Sequence, residues 1–380
     1  MTVFIQFFLL GLYSFGGPAA HIGFFQREFV EKRAWIDQAT FTQAVALCQF
    51  LPGPASSQLG MFIGYKKGGY WGALSAFIGF TFPSFLLLTV FAVASTRGLE
   101  QSMAISVFMG AAKWLAVVVV LDAVWGMGKK NIRTKAHWII LLATAAWLSL
   151  TSGLLAQVTP IVLVAVIGYA VTKPSEQRSL TKWRPNWLLL IMFAVLLLCL
   201  PLASALSPSI HLFNLFYQAG SFVFGGGHVV LPLLEPMLDG LVTSDVFISG
   251  YASAQLVPGP MFTMASYLGA SAMPEIPIWG SIVATLAVFL PGALLLFAMV
   301  PAWESLMTHP RLKASIDWVN ATVVGLLAVA FVDPIATSAI HGVKDVVGCA
   351  IGWCLLKYAR LPVWGVIITL LLLRAGFELI

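Results

Sequence analysis

A chain of 380 residues with 59% apolar and only 9% charged side chains, at a mean hydropathy of +0.92, carries more apolar surface than a soluble core of this length needs. Its apolar runs lack the period-two alternation of barrel strands, so the class is a polytopic all-α membrane protein. The net charge of +6 sits in short basic clusters between apolar runs, which reports membrane orientation and argues against a nucleic-acid partner.

In chain order, "MTVFIQFFLLG" has no basic n-region and no small-residue cleavage site, so Met1 onward reads as mature protein without a removable signal peptide. The first apolar segment, 3–25, is interrupted by Phe15-Gly16-Gly17-Pro18, and the second, 41–64, holds Pro52-Gly53-Pro54. Segments 70–95 (around Pro83), 101–126 (with Lys113 and Asp122), 137–152 and 154–172 follow. After the polar stretch "TKPSEQRSLTKWRPN" and one extra apolar run, 187–206, the order repeats. The second set is 209–234 with Phe224-Gly225-Gly226-Gly227, 245–270 with Pro258-Gly259-Pro260, 277–300 around Pro291, 316–340 with Asp333, 345–357 and 361–378. Four landmarks recur at offsets of 209, 206, 208 and 211 residues. The expected division is a first repeat, 1–172; a cytoplasmic linker plus connecting transmembrane helix, 173–208; and a second repeat, 209–380.

Loop charge predicts that the copies face opposite ways. Arg27, Lys32, Arg33, Lys66 and Lys67 follow the first two segments of copy one, whereas the matching loops of copy two hold Glu235, Asp239, Asp245 and Glu275 without a basic residue. Two successive loops on one side make the second segment a re-entrant hairpin with Pro-Gly-Pro at its tip. The pattern implies nine full crossings plus four re-entrant or broken segments; a first segment that spans as a tilted, broken helix gives a higher count and stays open.

A helix broken in lipid leaves backbone polar groups unpaired at several kcal/mol each, roughly, so the breaks are expected to face a cavity. A restarted helix aims free N–H groups and its positive dipole end into that gap. The expected substrate-binding set is therefore Gly16, Gly17, Gln49, Gly53, Ser56, Ser57 and Gln58 in copy one, with Gly225, Gly226, Gly227, His228, Gln255, Gly259 and Thr263 in copy two. Lys113, mid-segment, needs an anion or a carboxylate; nine residues from Asp122 on one helix, it reads as open to substrate. The competing reading makes the glycines packing residues and Lys113 a snorkelling side chain. Proton-coupling candidates are His21, Asp122, Glu235 and Asp333, with Glu28 and His228 beside them. No P-loop, H-E-x-x-H, G-x-S-x-G or Cys/His cluster occurs, and Cys48, Cys199, Cys349 and Cys354 lack metal-ligand or redox spacing. The expectation is a carrier driven by an ion gradient, with no enzyme activity, no cofactor and no metal.

The stretches "SFGGPAAHIGFFQREFVEKRAWI", "ALCQFLPGPASSQLGMFIGY", "GSFVFGGGHVVLPLLE" and "GYASAQLVPGPMFTMASYLGA" resemble the two-domain members of the chromate ion transporter superfamily, over nearly the whole chain. The resemblance implies a bacterial inner-membrane protein that exports chromate using the proton motive force and confers chromate resistance, with about ten crossings and oppositely oriented halves. The family's motif residues fall here on Phe15, Gly16, Gly17, Pro18, His21, Gln49, Pro52, Gly53, Pro54 and Gln58, and on Phe224 to His228, Gln255, Pro258, Gly259 and Pro260. Sulfate or another tetrahedral oxyanion stays open as cargo, as does a passive anion channel on the same scaffold; a homodimer is the expectation for an inverted-repeat carrier.

Overall fold

The computed structural model describes residues 2–15, 17–96, 103–151, 154–172, 184–224, 230–302 and 310–378. Among them the structure is helical throughout. Helix α1 (Thr2–Tyr13) stops before the first glycine motif, and α2 (Gly17–Phe25) restarts after it, with Gly17 at φ 74. Helix α3 (Gln38–Phe50) ends at the Pro-Gly-Pro stretch and α4 (Ala55–Thr96) begins beyond it. Then come α5 (Met103–Asn131), α6 (Lys135–Leu150), α7 (Leu154–Val171) and α8 (Trp187–Ala203). The second half holds α9 (Pro208–Phe222), α10 (Val230–Leu234), α11 (Ser244–Leu256), α12 (Met264–Ala272), α13 (Pro277–Met299), α14 (Pro310–Ala330), α15 (Val343–Lys357) and α16 (Val363–Glu378).

Several helices that start away from these breaks are capped by a short polar side chain, as an N-terminus with unpaired amides requires. Asp37 accepts from Thr40 N, Thr134 from His137 N, Ser207 from Ile210 N and Thr243 from Val246 N. The long α4 is two limbs joined at a corner, where Gly68 (φ −151, ψ 28) and Gly69 (φ 61, ψ −155) leave helical geometry. The limbs close so tightly that a Cβ on Gly72 would lie 2.1 Å from the Gly64 carbonyl oxygen. In copy two, Gly280 has the same relation to the Gly269 oxygen, also 2.1 Å, so α12 and α13 repeat that hairpin. Helix α11 also folds back on α12, with Gly250 against the Tyr267 ring.

Glycine lets the remaining contacts form in pairs. Gly11 of α1 sits on Phe80 O and Pro83 of α4; Gly220 of α9 sits on Val288 O and Pro291 of α13. One apolar core surrounds α5 and α9 to α14, and a smaller one, built on Phe7, Phe25, Phe29 and Phe80, holds α1 to the second limb of α4. Helix α8 buries none of its residues. Among the described residues five helices are long and apolar enough to cross a membrane: 55–95, 107–131, 187–206, 277–302 and 314–339; α1, α6, α7 and α16 contribute shorter apolar helices.

Candidate functional site

The two Pro-Gly-Pro stretches and the residues just before the two Phe-Gly-Gly motifs meet in one layer, and they meet reciprocally. Gly53 N donates to Val223 O (2.7 Å), and Gly259 N donates to Ser14 O (2.9 Å). Val223 precedes Phe224 as Ser14 precedes Phe15, so each copy supplies the acceptor for the other's central glycine. Both glycines adopt a φ that a side chain resists, 114 and 105. Beyond them, a Cβ on Gly53 would lie 2.9 Å from Gly292 Cα, and one on Gly259 2.8 Å from Ser84 Oγ. Gln58, fully buried, braces this joint by donating from Nε2 to Pro52 O (2.9 Å) and Gly292 O (3.0 Å).

A cavity of about 480 Å³ reaches this layer from one side. Its walls are Gln49, Leu51, Gly53 and Ala55 at the break, Pro18 and Ile22 of α2, then Lys130, Asn131, Arg133 and His137 around the α5–α6 turn, with Asp317 and Asn320 of α14. Helix α4 starts at Ala55, so the amides of Ala55, Ser56 and Ser57 precede its first intrahelical bond, from Gln58 N to Pro54 O. Its positive end therefore opens on the cavity, while the carboxyl end of α3 contributes the opposing partial charge. The two nearby cations decide the sign. His137 Nδ1 accepts from Arg133 N (3.3 Å), which leaves Nε2–H as its free donor, and Arg133 Nε is tied to Lys130 O (2.8 Å). The result is a concave site with an amide side chain, a helix amino end, two cations and an imidazole donor against one carboxylate, Asp317, a balance that favours a small oxyanion.

A second cavity, about 610 Å³, lies between Met109, Gly110, Lys113 and Trp114 of α5, Asp245 and Ser249 of α11, residues 338–345, and Arg374 and Phe377 of α16. Lys113 and Lys130 are separated along α5 by roughly 25 Å at 1.5 Å per residue, so the two cavities lie towards opposite ends of that helix. The start of α5 and the segment after α14 share the larger cavity; the end of α5 and the start of α14 share the smaller. The two helices thus run in opposite directions.

Each expected site residue has a definite place, or lies outside the description. Gly16, Gly225, Gly226, Gly227 and His228 fall outside the described residues. Gln49 and Gly53 line the smaller cavity; Gly17 lies at the start of α2, next to Pro18 of its wall. Gln255 Nε2 is against Met261 Sδ (2.8 Å), and Thr263 Oγ1 donates to Pro260 O (2.6 Å). Ser56 and Ser57 are buried behind the break. Two expectations need correction. Lys113 is paired across the copies with Asp245, which a reading along one helix could not find. Gly53 and Gly259, expected to bind substrate, have their amides taken by the other copy's carbonyls, Val223 O and Ser14 O.

Among the proton candidates, Asp122 is bound by Lys357 (2.8 Å) and Asp333 accepts from Thr337 Oγ1 (3.0 Å). Glu235 is pushed above the ordinary carboxylate range, chiefly by burial, then by the negative charges of Asp333 and Asp239, against a hydrogen bond with Ser244. Two residues singled out separately, Glu235 and Asp333, are thus electrostatically joined. Glu28 is held by Arg33 (2.6 Å) and Lys32 (3.3 Å). His21, wholly buried, has Nε2 on Ser14 O (3.1 Å).

The copies differ in polarity behind the joint. Ser14 Oγ, His21 Nδ1, Ser57 Oγ, Gln58 Oε1 and Thr81 Oγ1 are buried without a hydrogen-bond partner among the described residues. Their counterparts in copy two are Val223, Val230, Thr263, Met264 and Phe289. Copy one carries the polar break.

Sequence reasoning used Lys130 and Arg133 only as orientation charges. Their signal was present as Lys130, Arg133 and His137 at i, i+3 and i+7 across one turn. Asp345 was likewise missed; it accepts from Trp114 Nε1 (2.9 Å), Arg374 Nη1 (2.8 Å), His341 N (2.9 Å) and Gly342 N (3.0 Å). Replacing Asp345 by Ala removes four donors' acceptor from the wall of the larger cavity and is expected to cost about 2–3 kcal/mol, read as a fall of several degrees in thermal unfolding in detergent.

The family model for chromate transporters matches residues 1–172 and 210–376. A probable chromate transport protein of Synechococcus elongatus is 28% identical over 86% of this chain and 82% of its own length. A chromate transport protein of Cupriavidus metallidurans is 28% identical over 85% and 80%, and an uncharacterised transporter of Methanocaldococcus jannaschii 27% over 86% and 82%. No solved structure matches.

Proposed function

The chain belongs to the chromate transporter family, a multi-pass inner-membrane group, and from that premise we propose that it is a secondary transporter that exports chromate from the cytoplasm in exchange for protons. The observation that carries this reading is the cavity joining the copy-one break, Gln49 and Gly53, to Lys130, Arg133 and His137. A tetrahedral dianion in this cavity has the Gln49 amide, Lys130, Arg133 and His137 as donors around it, and its charge replaces solvent as their partner. The two copies act as inverted repeats, a reading supported by the opposed run of α5 and α14 and by the reciprocal glycine bonds. Each Pro-Gly-Pro then lies at the tip of a re-entrant pair. Copy one binds; copy two, less polar at the matching positions, braces and gates. On the opposite face Lys113 exchanges Asp245 for the departing anion.

Everted vesicles with an acid interior are expected to accumulate labelled chromate, and to lose this on addition of an uncoupler; accumulation that follows only the anion's own gradient makes the protein a channel instead. Excess sulfate that abolishes uptake identifies sulfate as the better cargo. Glu235 is the proposed proton carrier. Its raised carboxyl holds a proton where an ordinary glutamate is ionised, and the stability this proton contributes is present at low pH and lost as pH rises through the folded-state value. Glu235→Gln, fixed neutral, is expected to leave chromate binding intact and to flatten the dependence of uptake on the pH gradient.

A further inference from the structure

We propose that the groove between the second limb of α4 and α13 is a binding site for one anionic phospholipid. A furrow of about 390 Å³, almost free of polar atoms, is lined by Met61, Tyr70, Leu74, Phe77, Leu290 and Phe297 among others. It faces outward: Tyr70, Leu74 and Leu286 are exposed. From Phe297 to Leu286 the wall runs along α13 for roughly 16 Å at 1.5 Å per residue, about half the ~30 Å hydrocarbon core. That length fits an acyl chain of one leaflet and is too short to seat a membrane-crossing helix from a second copy.

One end is closed by an aromatic trio. Tyr65 and Tyr70 pack against Phe297 at 5.5 and 5.4 Å, and against each other at 5.1 Å, the arrangement expected at the headgroup boundary. Among the described residues, the chain reversal at this end carries Lys66 and Lys67, whereas the one between α12 and α13 carries Glu275. Lys66 and Lys67 follow Tyr65 directly and are exposed, their ammonium groups 5.5 Å above the rings of Phe62 and Trp35. Asn186 N donates to Ala298 O (2.9 Å), which ties the start of α8 to the end of α13 next to Phe297. None of the ion pairs among the described residues includes Lys66 or Lys67. Two cations, neither of them in an ion pair among the described residues, at the mouth of an apolar furrow one leaflet deep, match a phosphate diester with its chain running inward. The walls belong to different copies, so the lipid wedges between the parts whose relative motion transport requires. The inference is independent of the cargo.

Native mass spectrometry of the full chain, released from nanodiscs holding equal phosphatidylglycerol and phosphatidylcholine, tests it. The wild type is expected to retain one phosphatidylglycerol with a preference of up to about thirtyfold, from about 1 kcal/mol for each of Lys66 and Lys67. Lys66→Ala with Lys67→Ala is expected to erase the preference while a lipid of either kind is still retained; Ala293→Trp, which fills the furrow, is expected to lose the retained lipid altogether. Equal retention of both lipids by the wild type overturns the proposal. So does an Ala293→Trp protein that keeps its lipid, or one that changes from dimer to monomer, which assigns the furrow to a second copy.

Discussion

Gly53→Ala is expected to lower chromate transport by at least about thirtyfold per folded molecule. The backbone at φ 114 opposes a side chain by about 1–3 kcal/mol, and the new methyl also meets Gly292 Cα at 2.9 Å, a backbone atom that cannot swing away. The methyl pushes apart the joint in which Gly53 N reaches Val223 O, so the damage falls on the contact between copies. Gly259→Ala should resemble it, with Ser84 Oγ at 2.8 Å. Gly17→Ala is the comparison: at φ 74 it bears the backbone strain, but nothing lies within 4 Å of the added carbon. Its transport defect is expected to be several times milder. If vesicle uptake, corrected for folded protein, falls equally in Gly53→Ala and Gly17→Ala, the closeness of the copies is irrelevant to transport.

Replacing Lys130 and Arg133 together by Ala is expected to raise the apparent KM for chromate about thirtyfold and to change kcat far less. A hydrogen bond to a charged group contributes about 1.5–3 kcal/mol, and both side chains are exposed, so the low end applies and solvent screening reduces it further. Lys135→Ala removes a neighbouring charge that does not line the cavity; its KM is expected to stay within about threefold of wild type, because a surface charge acts only through the screened field. Equal effects from the two changes would reduce the cavity cations to general surface potential.

The breaks were legible because lipid leaves a chain few places to put Gly-Gly-Pro or Pro-Gly-Pro, and local residue chemistry is enough to stop α1 at Tyr13 and α3 at Phe50. Recurrence at a near-constant offset made the two copies visible for the same local reason. What escaped was everything that depends on packing between distant segments. Nothing near Lys113 in the chain announces Asp245, and nothing near Gly53 announces Val223. Gln58 looked like a spare amide for substrate, yet Gly292, on another helix, takes its Nε2. Lys130 and Arg133 counted only as topology signals and His137 was passed over; the approach of α14 to the end of α5 turns all three into the wall of a cavity.

The crossed glycine bonds also set an order of events at the ribosome. Gly53 emerges and enters the bilayer long before Val223 is synthesised, so the first half must pass through an interval in which that amide has no carbonyl to meet. Hydrocarbon does not tolerate such an amide, which places the early hairpin in the lateral opening of the insertion machinery, or in contact with water, until its mate arrives. The newborn chain is thus completed by closure across its own middle, and its two halves mature together.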